Sequence, residues 1–421
     1  MKQYPLIENR FAKLFFGVYL TAMLFLSRDT LYSSCIVGFE KSQFYMIGLI
    51  CLLGICFLIR NFREMKSILL NRRMLAVVIT AVVLLIPMLL KKDWQMMYFS
   101  ILLCPLFAIF LTYFTSVNRV AKHYVIILTL LGLYSLVAMY CLKELAQAGK
   151  IFPSVFFNSN RWDFYNFIFA YTVPWEYWHR NFGIFREPGV YQFFIILAVY
   201  LNNYAADWNR AWKLWVCNII LALTMVSTFA IGGYAELGLF ALFLYFDKGY
   251  YRKTWGKILG VLAVLAVAGV FVFLIVQIRQ PGFEQTPYYE FYDMFLRLFT
   301  KSDSATDRVS AITTNIQFFF RNPLVGNGIA EVLHGTNHNT SSTLLLYAIF
   351  GIVGGTLNVA AWAALTWKKE RPVLGNLVLL LCLFMSFNTQ NLVANIFFWL
   401  FPMMALMERG LPMITLSSNK E

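Results

Sequence analysis

The chain has 421 residues, of which 60% are hydrophobic and only 13% charged, and its formal net charge is +14. A soluble domain carries roughly a quarter charged residues, so a water-soluble globular protein is excluded as the main architecture. The basic excess reads as the signal that orients membrane helices, not as a nucleic-acid surface.

In chain order, apolar stretches of spanning length fall near 11–29, 43–59, 74–90, 95–116, 124–142, 188–204, 213–231, 234–247, 256–277, 343–366, 373–388 and 392–408. They predict an all-α, polytopic bundle of about twelve transmembrane helices. The first stretch lacks a small-residue cleavage site and stays as a helix. Gly232-Gly233 predicts either a tight turn between the seventh and eighth helices or a break in one long element. The cysteines lie mostly within apolar segments (Cys51, Cys56, Cys104, Cys141, Cys217, Cys382). They show no metal or disulfide spacing and read as small buried hydrophobes.

Most of the 35 Lys and Arg residues fall into one set of connections if both termini are cytoplasmic, including Arg60, Arg63, Arg72, Arg119, Arg210, Lys248, Lys253, Lys368, Arg371 and Arg409. The short loops of the other side hold only Arg28, Lys41, Lys91 and Lys92. The two long loops, 143–187 and 278–342, are then both on the outer face of a single membrane domain, 1–421. Long loops in compact proteins commonly carry function. The first is dense in aromatics (Phe156, Phe157, Trp162, Phe164, Phe167, Trp175), which suit an interfacial belt or a sugar platform. In the second, 287–301 predicts an amphipathic helix on the membrane surface. Thr306-Asp307 predicts the cap of a further helix that runs to Phe320 and is ended by Asn322-Pro323.

The residues able to do chemistry lie in these loops. Arg180 and Arg186 flank Gly183, where a turn would bring both guanidinium groups to one anion. Glu187-Pro188 opens the next helix, with the carboxylate favourable at its N-terminus. The bland reading of this block is a capping Glu187, a snorkelling Arg186 and a solvated Arg180. His338, flanked by Asn337 and Asn339, is the general-base candidate, in company with Arg308, Arg321 and the turn Gly326-Asn-Gly328. A lone loop histidine is more often just polar, and His334 is its natural control. Glu236 is the exception in a membrane interior that is nearly free of charge and is a functional suspect for that reason. No metal site is evident; Asp303 and Asp307 stand apart.

The order Arg308, Pro323-Leu-Val-Gly-Asn-Gly328, His338-Asn339 and Gly351-x-x-Gly354 resembles the O-antigen polymerase and O-antigen ligase superfamily of bacterial envelopes, and Arg180-x-x-Gly183-x-Phe185 resembles that family's other arginine site. Eleven residues separate Asn339 from Gly351, two more than the family's usual spacing. In a continuous helix two residues turn the face by roughly 200°. The resemblance implies a glycosyltransferase of the bacterial inner membrane, without cofactor or metal. Its donor would be an undecaprenyl-pyrophosphate-linked oligosaccharide, and its neighbours membrane lipid, a chain-length regulator and a flippase. It implies catalytic roles for His338, Arg308 and Arg180, and substrate contacts for Arg186, Glu187, Arg321, Asn337 and Asn339. Polymerisation of repeat units is the leading expectation. Ligation of the chain to lipid A–core or protein is the alternative, and lipid-oligosaccharide transport a more distant one.

Overall fold

The computed structural model describes residues 10–61, 72–142, 155–157, 162–174, 179–286, 288–289, 292, 303–335 and 340–409. Each expected apolar stretch is a helix: α1 (Arg10–Phe25), α2 (Phe39–Asn61), α3 (Arg72–Lys91), α4 (Met96–Leu111), α5 (Val117–Cys141), α6 (Pro188–Tyr204), α7 (Ala211–Ser227), α8 (Ile231–Asp247), α9 (Thr254–Ile278), α12 (Thr343–Thr366), α13 (Val373–Phe387) and α14 (Ile396–Arg409). Two more, α10 (Asp303–Arg321) and α11 (Ile329–His334), belong to the second long loop. Four helices are long and apolar enough to cross a membrane: Arg73–Lys91, Val117–Cys141, Thr254–Ile278 and Thr343–Thr366. Others, such as Met96–Leu111 and Ala211–Ser227, are apolar but shorter.

α6 and α14 form the centre: from Val190 to Leu201, and again from Ile396 to Ala405, every residue is buried. A helix buried all round needs no amphipathic stripe. α9, by contrast, is exposed along nearly all of its apolar length, the pattern of a helix whose solvent is hydrocarbon. The cysteines divide: Cys104, Cys217 and Cys382 are buried, whereas Cys51, Cys56 and Cys141 are exposed on helix surfaces, contrary to a uniformly buried reading.

Three local expectations need correction. First, the 143–187 loop contains a four-stranded antiparallel sheet, β1 (Val155–Phe157), β2 (Trp162–Asn166), β3 (Tyr171–Pro174) and β4 (His179–Gly183), in the order β1-β2-β3-β4. The dense aromatics hid its alternation. Phe164 and Phe182 meet edge-to-face at 5.1 Å and pack with Leu31 and Tyr171, so Phe164 is core, not belt. Second, the turn between α7 and α8 is at 228–230, and Gly232-Gly233 lie inside α8. A Cβ at Gly233 would sit 2.5 Å from Gln192, so the glycine admits the side chain of α6. Third, α10 starts at Asp303, ahead of the predicted cap, though it ends at Arg321 beside Asn322-Pro323 as expected. The predicted surface helix 287–301 falls almost entirely outside the described residues.

α12 is broken at Gly351 (φ 65°, ψ −162°). The segment Pro323–Gly328 fills the break. Asn327 N–H donates to the Ala348 carbonyl (3.0 Å), Gly328 N–H to Ile349 (3.2 Å), and Ile352 N–H to Pro323 (2.7 Å). The Asn327 side chain adds bonds to the Phe318 and Ala348 carbonyls. A broken helix is tolerated at membrane depth only where protein satisfies the freed backbone groups, and this loop supplies that need. Gly326 (φ 84°) lies with its Cα against the Ile349 carbonyl. We expect Gly326→Ala to cost at least about 2 kcal/mol, from left-handed strain plus the backbone clash. Thermal unfolding in detergent measures this; an unchanged midpoint would show that the joint is not tight.

At the end of the bundle away from the long loops, Arg371 forks onto Asp247 (2.6 and 3.1 Å) under the ring of Tyr204, whose hydroxyl also donates to Asp247 (2.6 Å). This clasp ties α6, α8 and the α12–α13 connection. Arg371 is thus a buried structural partner as well as a basic residue of that end.

Candidate functional site

The site gathers at the loop-bearing end, where α6, α8, α12 and α13 begin or finish. Asn181 builds its first wall. Its buried amide donates to Ser135 Oγ on α5 and Ser227 Oγ on α7, both at 2.8 Å, and its carbonyl oxygen accepts Gly183 N–H (2.8 Å). β4 is thereby pinned to two helices. The preceding residue, Arg180, reaches over the α7–α8 turn, donating from Nε to the Thr228 carbonyl (3.3 Å) and from Nη2 to the Phe229 carbonyl (3.0 Å). These carbonyls orient the guanidinium and carry no net charge. Phe229 holds a left-handed backbone (φ 46°), a strained conformation for an aromatic residue, which turns its carbonyl to Arg180.

α8 begins immediately beyond. Gln192 of α6 donates to the Ala230 carbonyl (2.9 Å) and fills the space beside Gly233. Arg180 lies within electrostatic reach of Tyr234. Two residues on, Glu236 is buried, and it faces Ser386 of α13 and Arg308 of α10. The Ser386 hydroxyl and the Glu236 carboxylate are each other's nearest polar partners in this buried place. Arg180 thus grips the turn that precedes α8, and Arg308 lies within electrostatic reach of the second turn of that helix. The joint at Asn327 and Gly351 anchors the opposite end of α10, the helix that carries Arg308.

His338, Asn337 and Asn339 lie outside the described residues. The chain that follows them is firmly held: Ser341 Oγ donates to Asn388 Oδ1 (2.8 Å), which also accepts Thr343 N–H (3.0 Å), and Ser342 Oγ accepts Leu392 N–H (2.9 Å). Gln390, in the same α13–α14 connection, packs on Gly189 at the start of α6. Residues 340–342 are non-helical, so the helix before Gly351 begins only at Thr343.

The other expected residues go elsewhere. Arg186 turns away from Arg180 to the buried Asp29 (3.2 Å), which Asn395 also holds (2.9 Å). Glu187 occupies the N-cap position of α6, but its side chain makes no capping bond; Pro188 takes the first helical position as expected. Arg321 lies over the Phe318 ring (4.9 Å). It is 13 residues along α10 from Arg308, a rise of about 20 Å. His334 is exposed at the end of α11.

Asn181, Gln192, Asn388 and Gln390 escaped the sequence reading. The adjacency of Asn181 to Arg180 was its only local sign. No family model matches the chain, and no curated protein matches it. Chemically, the site offers one guanidinium oriented by backbone carbonyls, a second within electrostatic reach of the same helix, and a buried carboxylate with a hydroxyl beside it.

Proposed function

We propose that this protein is a glycosyltransferase of the bacterial inner membrane that polymerises undecaprenyl-pyrophosphate-linked oligosaccharide repeat units. Both termini are cytoplasmic, in keeping with the basic end of the bundle, and the site faces the periplasm. The convergence of Arg180 and Arg308 on the start of α8 carries this reading. It joins the two arginine motifs that resemble the O-antigen polymerase and ligase superfamily, although they are more than a hundred residues apart in sequence.

In the reaction, an acceptor hydroxyl oxygen bonds to the donor's anomeric carbon while the bond from that carbon to the pyrophosphate oxygen breaks. The lipid pyrophosphate leaves with the electron pair. Negative charge grows on the leaving oxygen, where the two guanidinium groups stabilise the transition state more than the ground state. His338 takes the acceptor proton and passes it to water. Glu236 keeps Arg308 oriented, and with Ser386 it accepts sugar hydroxyl protons in hydrogen bonds. The lipid-linked donor brings its own leaving group, so a nucleotide-sugar site is not required.

Purified protein supplied with an undecaprenyl-pyrophosphate-linked repeat unit should produce a ladder of products spaced by one repeat. A single transfer to added lipid A–core, with no ladder, would make the enzyme a ligase. Absence of transfer to either acceptor would overturn the reading.

A further inference from the structure

The surface of α10 divides lengthwise into three strips. Ala311, Asn315 and Phe318 are buried against the bundle, where α12 is the main neighbour. Phe319, at the edge of that face, meets the ring of Tyr347 edge-to-face at 5.6 Å. Beside it runs an apolar strip. Ile312, Ile316 and Phe320 follow one another a helical turn apart, with Val309 alongside, and all four are exposed, Val309 at 64% and Phe320 at 72%. Ser310, Thr313 and Gln317, also exposed, form the third strip on the remaining side. A helix surrounded by water needs no exposed apolar row, and a helix surrounded by lipid or protein needs no polar one. Three strips suit a helix that meets protein, hydrocarbon and water at once.

The ends of α10 place it where those three meet. Asn327 holds its C-terminal end at the break in α12. The chain just beyond is pinned to the loop-bearing ends of α4 and α3: Ile329 N–H donates to Tyr98 Oη (2.9 Å) and Ala330 N–H to Asp93 Oδ2 (2.8 Å). Arg308, nearer the other end, lies within electrostatic reach of Glu236 in the second turn of α8. α10 therefore runs along the rim of the bundle, at the level where the apolar helices end.

The apolar strip continues past the helix. Leu324 is 71% exposed, and its carbonyl lies against Gly351. Ile352 N–H donates to the neighbouring Pro323 carbonyl, and the Ile352 and Val353 side chains are exposed as well. The strip is thus continuous with the outward surface of Thr343–Thr366, a helix long and apolar enough to cross a membrane. That continuity names the occupant, because the outward face of a spanning helix is covered by hydrocarbon.

We propose that α10 is an interfacial helix, with Val309, Ile312, Ile316, Phe320 and Leu324 seated among the acyl chains of the leaflet at the loop-bearing end and Ser310, Thr313 and Gln317 in water. Arg308 stands one turn before Ile312, at the head of the apolar row and about 18 Å from Phe320 along the axis. The seating sets this arginine at headgroup depth, where the phosphate of a lipid lies. It does not depend on the polymerase reading.

The test places the photoreactive residue p-benzoylphenylalanine at single positions of the full-length protein in phosphatidylcholine liposomes and reads the adducts by mass spectrometry after irradiation. In place of Ile316 or Phe320 it should form lipid adducts at least about tenfold more often than in place of Ser310 or Gln317. Equal yields on the two strips, or no lipid adducts at Ile316 and Phe320, would overturn the proposal. Cross-links from either position to a second copy of the chain would overturn it too, since the strip would then be a protein interface. Val309 and Ile312 read the same strip if a variant at Ile316 or Phe320 does not fold. The adducts form without any transfer reaction. Lipid adducts in a protein that makes no polymer would therefore leave the seating standing and remove only the polymerase reading, and polymer without adducts at Ile316 and Phe320 would do the reverse.

Discussion

Alanine at Arg308 or at Arg180 should lower glycan transfer about a hundred- to a thousandfold, the usual effect of removing one oriented group that stabilises transition-state charge. In the proposed site each guanidinium comes from a different loop and serves its own part of the pyrophosphate, so neither replaces the other. Lysine at either position should recover only part of the rate, because an ammonium cannot form the paired hydrogen bonds of a guanidinium to phosphate. At position 180 it would also lose the two-carbonyl grip on Thr228 and Phe229. Arg321→Ala is the internal control: it lies over Phe318 far along α10 and should stay within a few-fold of wild type. Steady-state rates of the purified variants with saturating lipid-linked donor measure all of these. A wild-type rate in Arg308→Lys would remove the bidentate argument. An Arg321→Ala enzyme as impaired as Arg308→Ala would extend the site along the whole of α10.

His338→Ala should lower the rate by roughly two to four orders of magnitude while leaving donor binding nearly intact. A base must be unprotonated to act. The wild-type rate should therefore fall as pH drops below the histidine range, near about 6.5, and level off above it. In His338→Gln that acid limb should vanish along with most of the rate. His334→Ala should be mild, since His334 is exposed at the end of α11 and outside the His-Asn pair. Rate against pH at saturating donor and acceptor reads this directly. An acid limb that survives in an active His338→Gln enzyme would move the base to a carboxylate, with Glu236 and Glu187 the ones to replace next. Weakened donor binding with little change in turnover would instead make His338 a phosphate ligand.

Both predictions depend on side chains that do no chemistry. Asn181 holds β4 against α5 and α7, so its loss would leave Ser135 and Ser227 facing a hole and would release Arg180. Asn327, threaded into the break at Gly351, anchors the C-terminal end of α10, the helix that carries Arg308. Unpaired buried groups cost about 1–3 kcal/mol each, enough to displace an arginine whose value lies in being fixed beforehand.

Much of the architecture was legible in the amino-acid sequence. Apolar runs of spanning length placed the helices of the bundle within a few residues, because burial in hydrocarbon or in a packed core is a property of a stretch and needs no knowledge of neighbours. Basic residues separated the two ends of the bundle for a similar reason. The chemistry-bearing types, Arg180, Arg308 and Glu236, stood out as polar residues amid apolar sequence. The sheet in the first loop did not show, since strands that bury aromatics on a small separate core lose their alternation among many other aromatics. Nor could pattern alone divide Arg180 from Arg186. A turn at Gly183 is a local feature, but the partners that draw the two apart, the 228–230 carbonyls and Asp29, are distant in sequence. The same holds for the meeting of Gly326 with Gly351 and for the approach of Arg308 to Glu236. Local propensity and hydropathy are short-range and additive, and they determined which segments are helices and which end is basic. The pairing of polar groups inside an apolar bundle is long-range and must be satisfied jointly, so only the tertiary structure decided that Arg186 goes to Asp29 and Arg180 to the 228–229 carbonyls.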